Sequence, residues 1–352
     1  MTKLCLLLMI ALQLQVQAQK RGQEYLDSMV ADIPTAKEDT NKVKLLYRIG
    51  NGYSGTDAAK SEYYILQCIA LSKKLGWQKG VASGYNTLGD LQLNTGVSDS
   101  AFYYYNLCYQ INKEIGNQEG VVWALSDLGD YEDRRSNAVG AIKYYMDALP
   151  AAEKTGKPKM VSMLYSHIST VYYHQDNFDK AASFISKAMA IDKTAGDDSK
   201  MAEYAEMLGN ISNSKHDSAS ALKYYFQALE LHTAADHKLG IATLYQQLGT
   251  VLPTVNERIA YKIKARNLWD SISPGHLLAV VNIGNLGYDY FLMEKNKLLV
   301  KPDVNIPPGK NERLALAEKY LTEAVSLAKA GDDPDDQQYF SLILSELYQE
   351  KG

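Results

Sequence analysis

The stretch Tyr85–Tyr109, YNTLGDLQLNTGVSDSAFYYYNLCY, contains the pattern that decides the fold. A Leu-Gly pair at positions 88 and 89 is followed by Ala101, Tyr105 and Cys108. The last three are spaced i, i+4 and i+7, so on a helix they form one apolar stripe. A glycine on the preceding segment leaves room for that second helix to approach closely. The stretch is therefore predicted to be a hairpin of two helices joined by a turn rich in Asn and Gly.

The same landmarks recur at a step of forty residues. The positions are Leu88-Gly89, Leu128-Gly129, Ile168-Ser169, Leu208-Gly209 and Leu248-Gly249 on first helices, and Ala101, Ala141, Ala181, Ala221, then Tyr105, Tyr145, Ile185, Tyr225, then Cys108, Ala148, Ala188, Ala228 on second helices. One hairpin cannot bury its apolar face alone, so neighbouring hairpins must stack. The prediction is an all-α fold, a right-handed α-solenoid of about seven helix hairpins plus a final unpaired helix.

The first residues are predicted to be a signal peptide over 1–18. A short positive start precedes the apolar run Leu4–Leu12, which is far shorter than the ~20 residues that a membrane span needs. The small-x-small pattern at 16–18 predicts cleavage after Ala18, so the protein is expected to be periplasmic or secreted. The formal net charge of -4 and a charged fraction of 22 % describe an ordinary soluble surface. No nucleic-acid partner is expected, because that would need a basic face.

The remaining chain is predicted to contain a lead-in helix over 19–41 and a repeat array over 42–352. The array divides into units near 42–79, 80–119, 120–159, 160–199, 200–239, 240–275 and 276–334, with an insert at 294–311, and a half unit at 335–352. In the irregular outer units the aromatic landmark is assigned to Tyr64, to Tyr261 and to Tyr320 or Leu321. The proline-containing insert is either a disordered surface loop or a segment that covers the end of the groove, contacts a partner or approaches a membrane surface.

The order Leu-Gly, Ala, aromatic, Ala resembles the tetratricopeptide repeat (TPR), from about Lys42 to the end of the chain. The period exceeds the commoner thirty-four residues of that family, so longer helices or connectors are expected. The segment Asp27–Gly50, DSMVADIPTAKEDTNKVKLLYRIG, follows the signal peptide and leads into the repeats. It resembles the exported sensory region of bacterial TPR-containing sensor histidine kinases. In those proteins a membrane span and an output domain follow the repeats, which implies a chain truncated before its span.

The resemblance implies that first-helix side chains line a concave groove that binds a protein or peptide. The candidate groove residues are Asn86, Asp90, Asn94, Trp123, Ser126, Asp130, Ser166, Thr170, His174, Glu206, Asn210, Asn213, Gln246 and Thr250. This set is polar, rich in amides and mildly acidic. Family members that clamp a peptide carboxylate use basic residues there, which these positions lack, so an extended peptide or a partner helix fits better. Trp123 is the predicted anchor, since tryptophan dominates many interfaces.

No catalytic constellation, cofactor site or metal site is predicted. The histidines form no HExxH motif, and His167 and His174 lack a carboxylate that would complete a ligand set. Asp127, Asp130 and Asp133 are interpreted as a solvated acidic face. Cys68 and Cys108 occupy equivalent positions of neighbouring repeats, too far apart for a disulfide, and are predicted to be buried free thiols.

Three functions are compatible with these features. The first is an exported protein-binding module that forms the sensory part of a signalling protein. The second is a stand-alone exported TPR scaffold, and a remote third is an enzyme built on an α-solenoid. The sequence disfavours the third, because no acid, base and nucleophile set stands at usable spacing. A homo-oligomer formed through the open C-terminal helix is a further alternative.

Overall fold

A computed structural model describes residues 22–351, apart from 95, 97, 197, 199, 274 and 299. The chain divides into two compact units, Met1–Gln175 and Asp176–Gly352, which we call the N-terminal unit and the C-terminal unit. The predicted signal peptide lies outside the described residues and stays a prediction. The all-α class and the helical repeat are confirmed, since the described residues contain helices and no strand.

Helix α1 of the N-terminal unit covers 22–32. The helices that follow are α2 Thr40–Tyr53, α3 Ala58–Lys74, α4 Gln78–Asn94, α5 Ser98–Glu114, α6 Gln118–Arg134, α7 Ala138–Lys154 and α8 Pro158–His174. Each even-numbered helix from α2 to α6 packs antiparallel on the helix that follows it, as predicted for stacked hairpins. From α3 to α8 every helix has 17 residues, so the long period arises from long helices rather than long connectors.

The C-terminal unit continues the alternation with less regular helices. They are α9 Phe178–Ala195, α10 Met201–Ser214, α11 Ser218–Ala234, α12 Lys238–Val251, α13 Val255–Ile272, α14 Leu277–Lys295, α15 Lys310–Ala330 and α16 Pro334–Lys351. Helices α10, α12 and α14 pair with α11, α13 and α15, and α16 packs on α15. Of the helices that the structure describes, none is both long enough and apolar enough to cross a membrane.

The links between the regular helices share one turn geometry. A residue with positive φ recurs at every twentieth position, at Gly76, Gly96, Gly116, Ser136, Gly156, Asp176, Gly196, His216 and Asp236. The Asn117 amide then donates to the Asn112 carbonyl at 2.9 Å, which is the six-to-one hydrogen bond of a Schellman cap. The next helix often begins at an Asx cap, as where Asn137 accepts from the Gly140 amide. Apart from the longer link between α9 and α10, each of these links ends one helix and starts the next within three residues.

A glycine on the first helix and a ring on the second close the regular hairpins. The pairs are Gly89 with Tyr105, Gly129 with Tyr145 and Gly209 with Tyr225, where an added Cβ would lie 2.4, 2.4 and 2.5 Å from a ring carbon. No methyl group fits at such a distance, so only glycine allows the ring to lie flat on the first helix. The three tyrosines are buried, and the ring therefore fills the helix crossing completely.

Two of the landmarks assigned in the outer units are wrong by one residue. Ile65, not Tyr64, packs over Gly50. The reason is that α2 ends sooner after its glycine than α4 does, and the slightly longer link after α2 only partly makes up the difference. The aliphatic part of Lys262, not Tyr261, packs over Gly249, at 2.6 Å from the added Cβ position. Tyr261 instead points toward other rings at the edge of the hairpin.

Lys262 brings a charge into the core of the C-terminal unit. Its Nζ lies 2.6 Å from an Asp289 carboxylate oxygen, and the side chains are 5 % and 11 % exposed. Burial lowers the pKa of Lys262, while the Asp289 charge opposes that shift. The Asn282 amide donates to the Lys262 carbonyl at 2.9 Å, which ties α14 to α13 beside the ion pair. In the last hairpin Leu321 packs over Gly287, so the alternative Tyr320 is excluded at that place.

The insert at 294–311 is packed onto its own unit. Ile306 is fully buried in the core formed by α13 to α16, and the Tyr290 hydroxyl donates to the Asn305 carbonyl. Asn256 of α13 donates to the Asp303 carboxylate and to the Lys301 carbonyl. The expectation of a disordered surface loop is therefore wrong, because this segment supplies core residues and fixed backbone contacts.

We expect Gly129→Ala to destabilise the protein by about 2–3 kcal/mol through overpacking against the Tyr145 ring. An alanine normally stabilises a helix interior by roughly 1 kcal/mol relative to glycine, so the loss runs against propensity. Urea unfolding followed by circular dichroism measures the change. The control is Gly55→Ala, where the added methyl meets nothing within 4 Å. Equal stability of Gly129→Ala and the wild type would show that this crossing is not close-packed.

Candidate functional site

A cavity of about 590 Å³ opens on the first-helix face of the N-terminal unit, and we call it the N-terminal groove. Its lining residues are Tyr47, Asn51, Ser54, Asn86, Thr87, Asp90, Leu91, Leu93, Asn94, Tyr105, Trp123, Asp127, Asp130 and Arg134. These residues come from α2, α4 and α6, except that Ser54 caps the end of α2 and Tyr105 reaches through from α5. The groove is thus built by three neighbouring first helices, as the hairpin stacking predicts.

The tyrosines of the helix crossings also contribute to the groove. The Tyr105 hydroxyl passes Gly89 and donates to Asp90 Oδ1 at 2.8 Å. The Tyr145 hydroxyl donates in the same way to Asp130, one residue after its own glycine. Asp90 and Asp130 are therefore each held by the hydroxyl of a tyrosine whose ring is fixed in the core. Both phenols stay protonated, because burial and the facing carboxylates raise the pKa of Tyr105 and of Tyr145.

Neighbouring first helices are joined by hydrogen bonds across the groove floor. Asn86 Nδ2 donates to Asp127 Oδ2 at 2.9 Å, which connects α4 to α6. The Thr87 hydroxyl donates to Asn51 Oδ1 at 3.2 Å, which connects α4 to α2. Because each bond links adjacent hairpins, these polar side chains also fix the spacing of the stack.

Asp127 is the most perturbed acid of the groove. Burial, followed by the charge of Asp90, raises the pKa of Asp127 to about 8, and the hydrogen bond from Asn86 only partly opposes this. Burial also raises the pKa of Asp90, although that side chain retains contact with water. Of the groove acids, Asp127 is therefore the one whose protonation is expected to change the free energy of unfolding. Its interpretation as part of a solvated acidic face is wrong, because it lies half-buried between α4 and α6.

Five of the predicted groove residues line the N-terminal groove together: Asn86, Asp90, Asn94, Trp123 and Asp130. Trp123 is 48 % exposed on the groove wall, which suits its predicted role as an anchor. Ser126 is a correction, because it is only 2 % exposed and faces the core rather than the groove. Ser166, Thr170 and His174 lie on α8 of the same unit but do not line this cavity.

The other five candidates lie on the C-terminal unit. Glu206, Asn210 and Asn213 stand on α10, and Gln246 and Thr250 stand on α12. Two of the groove interactions repeat there. The Tyr225 hydroxyl donates to Asn210 Oδ1 at 2.8 Å, and Gln247 Nε2 donates to Glu206 Oε1 at 2.9 Å. Burial raises the pKa of Glu206.

Sequence reasoning missed one row of groove residues, the position two before each landmark glycine. Thr87, Asp127 and Gln247 occupy it and make the bonds between neighbouring first helices. On a helix this row lies beside the predicted groove positions, such as Asn86 and Asp90. A prediction that took in a wider part of the same helix face would therefore have included it. His167 occupies the equivalent place on α8, with Nδ1 3.6 Å from Asp130 Oδ1.

In the described part of the chain, no group of three His, Cys, Asp or Glu side chains is placed to hold a metal ion. Cys68 and Cys108 are buried free thiols, which confirms their prediction. Burial raises the pKa of Cys68 to about 11 and that of Cys108 to about 12, so both are protonated and inert near neutral pH.

Comparison with solved structures places this arrangement among repeat proteins. The chain is similar to the apo form of RapI, with a TM-score of 0.59 at 11 % identity over 82 % of this chain and 98 % of that one. It is also similar to the Rap conjugation gene regulator of the plasmid pLS20 in complex with the Phr* peptide, with a TM-score of 0.53 at 16 % identity, covering 87 % and 80 % of the two chains.

A third similar structure is a signal transduction ATPase with numerous domains (STAND) with a tetratricopeptide repeat sensor from Pyrococcus horikoshii. The TM-score is 0.65 at 16 % identity, over 88 % of this chain and 45 % of that one. The chain thus spans less than half of that protein. No protein-family model matches the sequence, and no curated protein matches it. At these identities the likeness is one of fold: the chain has the architecture of TPR-like repeat proteins.

We expect Asp127→Asn to stabilise the protein above neutral pH. The folded-state pKa of Asp127, about 8, lies above the ordinary value of about 3.9 in an unfolded chain. The folded state therefore holds this proton more tightly, and the stability that depends on it is lost as pH rises through about 8. The advantage of the variant should grow from about pH 5 to about pH 8, to on the order of 2 kcal/mol.

Urea unfolding at the two pH values measures this difference. The control is Asp147→Asn on the exposed face of α7, where the pair with Lys143 lies in water. We expect the control to change stability by no more than about 0.5 kcal/mol. If Asp127→Asn is no more stable than the wild type at the higher pH, Asp127 is solvated and the burial argument fails.

Proposed function

We propose that the chain is a binding module that holds an extended peptide, or an exposed segment of a partner protein, against its first-helix faces. The observation that carries the proposal is the N-terminal groove, a cavity of about 590 Å³ with a half-exposed Trp123 among amides and carboxylates. Amide and carboxylate side chains can bond a peptide backbone, and a fixed aromatic supplies an anchor of apolar area.

The way in which the groove is supported favours recognition. Asp90 and Asp130 are held by hydroxyls of buried tyrosines, and Asp127 is held by Asn86. A site built on rigid helices and fixed from a second layer binds with less loss of conformational freedom than a loop does. A similar fold carries a bound Phr* peptide in the plasmid regulator, which is compatible with this use of the groove.

We propose further that the module is exported and serves as the sensory part of a signalling protein. The signal-peptide pattern before Gln19 supports export. The repeat sensor of the signal transduction ATPase is a precedent for TPR-like arrays in sensing, at the level of fold. A stand-alone exported scaffold uses the same groove without an output domain, and it is the alternative. No catalytic step is proposed for these residues.

Selection of peptides tests the binding function. Wild-type protein is used to select from a phage-displayed library of random peptides about twelve residues long, and the affinities of the enriched peptides are measured by fluorescence anisotropy. We expect enrichment, and we expect Trp123→Ala to weaken binding about tenfold, since an anchor residue contributes more than about 1 kcal/mol.

The matched control for that test is Tyr63→Ala. Tyr63 is 60 % exposed on α3 and does not line the groove, so its removal should leave the affinity unchanged. If no peptide is enriched, the proposed peptide-binding function is contradicted. Equal losses in the two variants would show that binding occurs outside the groove.

Processing of the amino terminus tests export. Expressed in a Gram-negative host, the protein should be recovered from the periplasm with Gln19 as its first residue, as read by intact mass. The change Leu7→Arg interrupts the apolar run and should leave the full-length chain in the cytoplasm. Recovery of unprocessed wild-type protein from the cytoplasm would contradict the signal-peptide assignment.

A further inference from the structure

The charge of the N-terminal groove is unbalanced. Of the described residues that line it, Asp90, Asp127 and Asp130 are acids, and Arg134 is the cation. The pKa of Asp127, about 8, keeps that carboxyl protonated near neutral pH while the groove is empty, so Asp90 and Asp130 carry the negative charge there. The hydrogen bonds to the three acids come from neutral donors, two phenols and one amide. Such bonds orient a carboxylate without neutralising it, so the groove keeps a negative field that a ligand of positive charge would complete.

The arrangement is costly to the empty protein. Burial and the Asp90 charge act together on Asp127, and Asp130 adds a smaller effect of the same sign. Such an acid keeps its proton near neutral pH, and an opposite charge placed beside it favours the ionised form, so a cation that enters the groove restores the Asp127 carboxylate. Strained electrostatics of this kind, at the wall of a cavity rather than in a structural ion pair, are typical of a site that acts on a ligand.

An aromatic wall stands beside the acids. Trp123 precedes Asp127 by four residues on α6, so the two lie on the same face of that helix. The 48 % exposed indole and the 48 % exposed Asp130 side chain both border the cavity. An indole face beside carboxylates suits a long cationic side chain, because the aliphatic stem packs on the ring while the charged head reaches the acids.

The same rows of the C-terminal unit differ in charge. Asn210 and Thr250 take the place of Asp90 and Asp130, and Gln247 takes the place of Asp127. Asn210 keeps the role of Asp90, since it accepts from the Tyr225 hydroxyl. The bond between first helices is reversed, because Gln247 donates to the Glu206 carboxylate of α10. A tyrosine hydroxyl can therefore be held by a neutral amide, as at Asn210, so the fold does not require the charge of Asp90 or Asp130 for that bond.

We propose that the N-terminal groove recognises its partner through a lysine or arginine side chain, which inserts between Trp123 and the carboxylates of Asp127 and Asp130. This inference rests on the proposed function and specifies the chemistry of the partner. Peptide selection has two readouts that separate the two proposals. Enrichment of any peptide supports binding, and a basic residue at a fixed place in the enriched set supports the cationic anchor.

The decisive measurement compares matched peptides and matched variants. The enriched peptide is synthesised with an acetylated amino terminus, and a second version replaces the basic residue with norleucine. We expect the norleucine version to bind about tenfold or more weakly, and Asp127→Asn to weaken the basic peptide by a similar factor while affecting the norleucine version little. Asp147→Asn, outside the groove, should change neither affinity. Raising the salt concentration from about 50 mM to about 300 mM should weaken only the basic peptide appreciably.

Each outcome bears on the proposal. Enriched peptides without a fixed basic residue, or an equal effect of Asp127→Asn on both peptides, would overturn the cationic anchor and leave the binding function intact. Binding that is lost on acetylation alone would assign the charge to the peptide's terminal ammonium and overturn the side-chain version. Because Asp127→Asn is expected to stabilise the fold, loss of affinity in that variant cannot be attributed to unfolding, and circular dichroism verifies this.

Discussion

The closeness of the two helices in each regular hairpin is the constraint on which the other features depend. Because Gly89 and Gly129 have no Cβ, a tyrosine ring can lie across the first helix. The ring then does two things, because its carbons complete the core and its hydroxyl emerges on the opposite side to hold a groove carboxylate. Packing and recognition are thus joined in one side chain, and neither can be altered there without affecting the other.

The C-terminal unit shows what happens when the ring is replaced. The methylene groups of Lys262 lie over Gly249. The buried ammonium group of Lys262 needs a carboxylate partner, whereas a phenol hydroxyl does not. Asp289 supplies that partner from the next first helix, so the polar end is turned toward the neighbouring hairpin. A buried ion pair demands exact partners on two helices, whereas a tyrosine hydroxyl accepts either a carboxylate or an amide.

The repeat could be predicted because it depends on spacing, which the sequence displays directly. Gly129 and Tyr145 stand at their period whatever the surrounding residues are. Tyr64 and Tyr261 do not take the landmark place because α2 and α12 end sooner after their glycines than the regular first helices do, which shifts the residue of the second helix that meets the glycine. The burial of Asp127 was not predictable from its own helix, since it depends on Asn86 of the preceding hairpin. The packing of the insert depends in the same way on distant contacts such as that of Asn305 with Tyr290.

The turn that recurs at every twentieth residue has a consequence for how such a chain can change its length. Helix, link and cap form a module of constant size from α3 to α8, and the contacts between hairpins recur at the same separation. A duplication or deletion of two modules within this stretch joins surfaces that already fit, so array length is open to recombination at little structural cost. The link at Pro253 and the insert at 294–311 interrupt this interchangeability. From α12 onward the hairpins accordingly differ from one another, and one cannot be exchanged for the next.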